Sequence, residues 1–203
     1  MPARGDHDAR RRDVSAAVWR VLAARGFGGL TLRAVAAEMG ASTGLLTHYF
    51  PSKRELLRHA LDVADEHTSA RERTAPRGPG LAALRAALLD VLPLTAEATA
   101  MNRVWVSSWD AALSDPELGG RETERYARWR TGLRAHVEAA QRLGELPADA
   151  DPGDLTLVAA SFAHGLVVQA LFAPGHIPAE RQLRLLDRFL AGLAAGGAAP
   201  AGG

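Results

Sequence analysis

Residues 30–57, LTLRAVAAEMGASTGLLTHYFPSKRELL, constrain the fold more than any other stretch, because helix starts and stops follow one another there in a set order. Leu32, Val35, Ala36 and Met39 recur as one face of an amphipathic helix, and Thr31 stands just ahead of them where its side-chain oxygen can cap the first turn. Gly40 ends that helix. After Ala41, Ser42 and Thr43 offer a second N-terminus. In the next turn and a half Leu46 and Phe50 face the preceding helix, which leaves Thr43, Leu45, Thr47, His48 and Tyr49 outward. Pro51 stops this short helix. Ser52-Lys53-Arg54-Glu55 is a capping box, serine at the cap and glutamate three residues later, which starts another. A helix-turn-helix with a polar outward row implies DNA binding, with the second helix as reading head in the major groove.

Charge agrees with that placement. Residues 1–58 carry ten Lys and Arg against five Asp and Glu, a balance of +5; the remainder has fourteen against eighteen, −4, and the two give the net +1 of the chain. Arg4, Arg10, Arg11 and Arg12 stand before or at the start of the first helix, while Lys53 and Arg54 open the fourth. Both groups are therefore expected along the phosphates beside the reading helix, against a plain solvated surface for any single arginine.

Two enzymatic readings fail on context. Gly40-Ala41-Ser42-Thr43-Gly44 matches the G-x-S-x-G nucleophile elbow, but that motif needs a strand before the serine and here an alanine-rich helix precedes it, so Ser42 reads as a cap. The seven histidines form no H-x-x-x-H or E-x-x-H pair, so no metal site is indicated; His136 and His164 read as ordinary helix histidines. Cysteine is absent, which removes disulfides, thiolate ligands and a cysteine nucleophile. No cofactor is implied.

Residues 13–57 resemble the DNA-binding domain of the TetR family of bacterial regulators. The resemblance rests on Gly26-Phe27 after the first helix, Thr31-Leu32 opening the second, Thr47-His48-Tyr49-Phe50 closing the third and Lys53-Arg54-Glu55-Leu56-Leu57 opening the fourth. It implies an all-α protein: an N-terminal three-helix domain over 1–57, a connecting helix from 52 to about 73, and a larger helical-bundle ligand-binding and dimerisation domain over 74–194. It implies as partners a near-palindromic operator DNA, a small-molecule effector and a second copy of the chain. The DNA-contacting set expected on this reading is Arg11, Thr31, Ser42, Thr43, Gly44, Leu45, Thr47, His48, Tyr49 and Lys53; Gly44 brings no side chain and reads no base.

The rest of the chain shows helices and no convincing strand. The first helix is expected over 8–25, with Val14, Ala17, Val18, Val21 and Leu22 inward; Pro76, Gly78, Pro79 and Gly80 mark a linker over 74–80. Further helices are expected over 81–100, interrupted by Pro93, and over 102–113, 117–143, 154–172 and 179–193. The Gly- and Ala-rich end, 195–203, reads as a disordered tail. With 47% hydrophobic and 23% charged residues, no run of eighteen apolar residues and no apolar stretch behind the N-terminal arginines, the chain is expected to be soluble, cytoplasmic and free of the membrane.

Trp105 and Trp109 share a face of one helix, and Tyr126 and Trp129 form an i, i+3 pair on the next. With Asp110 adjoining the first pair, these side chains suit a pocket for an apolar or cationic effector. The same spacing suits core packing. The segment NRVWVSSWDAALSDPEL is similar to the corresponding region of the choline-responsive branch of the family. In the last two helices Phe162, Leu166, Ala170, Leu186, Phe189 and Leu190 present more apolar surface than one stripe, expected either as a dimer interface or as closure of the protomer's own core. The competing class, a helical small-molecule binder or enzyme with no operator, draws on the aromatic half but lacks a convergent nucleophile, base or metal set.

Overall fold

The computed structural model describes residues 4–196, and among them the secondary structure is nine α-helices and no strand. The helices are α1 (Arg4–Arg25), α2 (Leu32–Glu38), α3 (Thr43–Tyr49), α4 (Lys53–Ala70), α5 (Leu81–Leu89), α6 (Ala96–Ser114), α7 (Pro116–Arg142), α8 (Pro152–Phe172) and α9 (Ala179–Ala195). The expected tail beyond residue 196 and the side chain of Arg4 lie outside the described residues. Two compact units are present: residues 1–71 with 103–119, and residues 72–102 with 120–203.

In the first unit the starts and stops are made by the side chains that the sequence offers. Thr31 Oγ1 accepts from the Ala34 N–H at 3.0 Å, Ser42 Oγ from Leu45 at 3.3 Å and Ser52 Oγ from Glu55 at 3.2 Å, so α2, α3 and α4 each begin on a satisfied cap. Helix α2 ends in a Schellman turn: the Ala41 N–H reaches the Ala36 carbonyl at 2.9 Å and the Gly40 N–H that of Ala37 at 3.2 Å. That turn needs φ +62° at Gly40, a conformation that costs a side-chain-bearing residue about 1 kcal/mol or more. Val14, Ala17, Val18, Val21 and Leu22 of α1 are buried with Leu46, Phe50, Leu56, Ala60 and Leu61; α1 packs on α2 and α4, and α2 on α3.

Residues 103–119 belong to this same core. The Phe27 N–H donates to Ser107 Oγ at 3.0 Å, the Trp105 Nε1–H donates to Thr68 Oγ1 of α4 at 2.9 Å, and Arg54 pairs with Asp115 at 2.7 Å. Val104, Trp105 and Leu118 are buried. The division of the chain by packing thus differs from a simple cut at the 74–80 linker.

In the second unit α5, α8 and α9 pack on one another, with Leu84, Leu88, Ala159, Ala163 and Leu186 inside. Arg85 of α5 grips Asp187 of α9 through Nε at 2.6 Å and Nη2 at 3.2 Å. Two expected boundaries shift. Pro93 ends the 81–100 segment outright, and Thr95 Oγ1 caps the Ala98 N–H at 3.1 Å, so the helix expected from 102 begins at Ala96. Asp151 caps α8 through the Asp154 N–H at 2.9 Å, and Pro152 fits the first helical position, so α8 starts two residues before the expected 154. By length and composition α8 alone among the described helices is long and apolar enough to cross a membrane, and its buried face, with Ala159, Ala163, Leu166 and Val167, lies in the protein core.

Candidate nucleic-acid interface and effector site

On α3, Leu46 is fully buried, Thr43, Gly44, Thr47 and His48 are exposed, and Leu45 and Tyr49 are half-buried. Of the outward row expected from periodicity, Thr43, Thr47 and His48 are fully presented to solvent, while Leu45 and Tyr49 are so only in part. The Thr47 hydroxyl donates to the Gly44 carbonyl at 2.8 Å, which leaves its oxygen lone pairs outward as acceptors. Thr31 and Ser42, expected at the interface, are exposed and use their oxygens as caps. Lys53 and Arg11 are exposed on α4 and α1.

Behind Tyr49 lies a polar cavity of about 280 Å³, lined in part by Arg11, Ser15, Arg58 and His59. His59 joins Ser15 Oγ at 3.1 Å and sits 5.2 Å from the Phe50 ring. Burial lowers its pKa, ahead of the opposing pull of Asp62 and Glu66. The His59 imidazole thus buttresses the C-terminal end of the reading helix through its contact with Phe50.

The five aromatic and acidic residues expected around an effector fall into two groups. Trp105, Trp109 and Asp110 belong to the first unit: Trp105 is 7% exposed and bonded to α4, Trp109 is half-buried, and Asp110 is exposed. Tyr126 and Trp129 belong to the second unit, where both engage His164 of α8. Tyr126 meets its ring edge-on at 5.1 Å and Trp129 at 4.7 Å with a 52° tilt. Burial first, then the positive charges of Arg125 and Arg130, push the His164 pKa down to about 4, so the ring is neutral at ordinary pH. Arg125 stands over the Tyr126 ring at 4.7 Å and pairs with Glu122 at 2.8 Å, which lets the carboxylate be 7% exposed without an isolated charge.

Sequence reasoning read His164 as an ordinary helix histidine with no part in the site, and it missed the Glu122–Arg125 pair. The Tyr126–Trp129 spacing marked one face of α7, but a partner on α8 thirty-five residues beyond Trp129 leaves no local periodic signal.

Of the six side chains expected at a subunit interface, Leu166, Ala170, Leu186 and Leu190 are buried within the protomer, and Phe162 stacks on Phe189 at 4.0 Å and 4°. The four buried side chains lie where α5, α8 and α9 pack on one another, while Phe162 and Phe189 are half-buried. The apolar row left exposed on α8 holds Leu157 and Val158, the small residues Ser161 and Gly165, and Phe172, which is 82% exposed.

Residues 15–60 match the model of bacterial regulatory proteins of the tetR family, and residues 80–195, more than half of the chain, match the C-terminal domain of BetI-type transcriptional repressors. The chain belongs to the TetR family of transcriptional regulators. Among its relatives, the transcriptional regulator BetI of Burkholderia cenocepacia (strain HI2424) is 28% identical over 194 residues, 94% of this chain and 96% of that protein. The regulator PksA of Bacillus subtilis (strain 168) is 41% identical over 71 residues, a match that spans 35% of each chain. A transcriptional regulator from Rhodococcus sp. Rha1 shares the fold with a TM-score of 0.78 at 25% identity, covering 93% of this chain and 98% of that one. A structure from Saccharomonospora viridis in complex with choline superposes with a TM-score of 0.78 at 22% identity, over 91% and 96% of the two chains. For this TetR-family chain the matches account for both the reading head and the helical domain that follows it.

Proposed function

We propose that the protein is a homodimeric repressor that leaves a near-palindromic operator when a small apolar or cationic effector binds its helical domain. The observation that carries the DNA half is the exposed row Thr43, Thr47 and His48 on a helix whose back is anchored by Leu46, flanked by Arg11 and Lys53. Thr47, with its proton committed to Gly44, accepts from a base-edge amino group; Thr43 and His48 reach bases or phosphate, Leu45 meets a thymine methyl, and Tyr49, Lys53 and Arg11 hold the backbone. A single short helix makes few base contacts, so two heads spaced about one DNA turn, roughly 34 to 36 Å, supply the rest of the specificity.

The effector half rests on the BetI-type match, on the choline complex of the structural neighbour, and on the Tyr126, Trp129 and His164 cluster. A cation approaching the Tyr126 face meets a place already held by Arg125, so a cationic effector must displace that guanidinium toward Glu122. The effector acts only by binding the DNA-incompetent form more tightly. The exposed α8 row is the surface offered to a second copy, in the cytoplasm and away from lipid.

A gel shift with the DNA upstream of the protein's own gene, run at rising salt with and without choline, tests the reading. Binding to that DNA in preference to a random duplex, relieved by effector, is the expected result. Equal affinity for both duplexes at every salt concentration would remove the operator and leave a helical binding protein.

A further inference from the structure

Phe172 stands at the C-terminal end of α8 with 82% of its surface exposed. At the other end of that helix an open groove of about 470 Å³ runs beside α7, with Ala127, Arg130, Thr131 and Arg134 on one wall and Asp154 and Leu157 on the other. An aromatic knob and a groove thus belong to one exposed row. They cannot meet within a chain, because fifteen residues of helix, about 22 Å, separate Phe172 from Leu157. Between them stands Gly165, eight residues after Leu157 and seven before Phe172. It is exposed, and a Cβ added there would meet nothing within 4 Å, so another backbone can come close at this midpoint.

A two-fold axis through Gly165, perpendicular to α8, lays a second copy of the helix antiparallel on the first and brings each Phe172 to the other copy's groove. Charge selects this order over a parallel one. The carbonyl end of α8 is electronegative beside Phe172, and Pro174 has no N–H to give the Ala170 carbonyl. In the groove Arg134 is tied to Glu138 at 2.8 Å, while Arg130 makes no ion pair among the described residues. Antiparallel helices set Arg130 against the other copy's carbonyl end; parallel helices would set it against its own copy. We propose that two chains pair through α8 in antiparallel order about Gly165, each seating its Phe172 in the other's α7–α8 groove. The proposal rests on the reading of the exposed α8 row as the subunit contact, and it fixes the direction and register of that contact. The Arg130 guanidinium then lies over the other chain's Phe172 ring.

The chain has no cysteine, so introduced thiols are the only ones that a cross-linker meets. The full-length double variant Leu157→Cys, Phe172→Cys, treated with a short bismaleimide, should run as a covalent dimer on a denaturing gel. Each single variant should not, because its two thiols lie roughly 21 to 24 Å apart across the axis. Phe172→Ala should raise the dimer dissociation constant about tenfold or more in sedimentation. Cross-linking by Phe172→Cys alone, a double variant that sediments as a dimer yet fails to cross-link, or an unchanged dissociation constant for Phe172→Ala would each overturn the antiparallel knob and groove. A native chain that sediments as a monomer, or a dimer untouched by Ser161→Arg, would instead remove the α8 contact on which the proposal stands.

Discussion

His164 shows how one side chain ties stability to pH. In the unfolded chain its imidazole takes a proton near pH 6.5; folded, burial and the facing Arg125 and Arg130 hold that uptake down to about 4. A depressed histidine contributes stability that is present above the unfolded value and lost as pH falls through the window from about 6.5 to 4, because only the unfolded state binds the proton there. The loss should reach on the order of 1 to 3 kcal/mol at the acid end. Replacing His164 by Phe, which keeps an aromatic between Tyr126 and Trp129, should flatten that part of the profile. Melting temperatures of both proteins between pH 7 and pH 4 measure it, and parallel curves would assign the acid sensitivity to other groups.

At the scale of elements, what the sequence revealed and what it hid have one physical cause. Caps, stops and faces of α1 to α4 depend on residues within four positions of one another, and the Thr31, Ser42 and Ser52 caps and the buried α1 row appear where spacing placed them. The fate of an apolar helix face depends on what arrives from elsewhere in the chain. Leu186 and Leu190 could face a partner or the interior, and only the packing of α9 on α5 and α8 decides for the interior. The same packing redirects the interface test to the other side of α8. Ser161→Arg, on the exposed row, should yield monomers in sedimentation while the protomer's melting temperature shifts little. Phe189→Glu should lower both, because it breaks the stack with Phe162. A dimer that survives Ser161→Arg would move the interface off α8.

At the scale of the molecule, the DNA-reading unit is not one continuous piece of chain. It takes residues 103–119 from far downstream, and with them the bond from Phe27 to Ser107, the bond from Trp105 to Thr68 and the Arg54–Asp115 pair. A fragment of residues 1–73 should therefore melt well below the intact chain and over a wider range, because buried Val104, Trp105 and Leu118 are gone. Circular dichroism on the fragment reads this directly; a sharp transition at the full-length temperature would show that the first 73 residues suffice. The discontinuity also bears on how such proteins can be recombined. A sensor built by joining this reading head to a foreign effector domain at the Pro- and Gly-rich stretch near residue 76 would sever the head from the patch it packs on. A functional graft has to carry that distant patch across as well, so the useful crossover points number three rather than one.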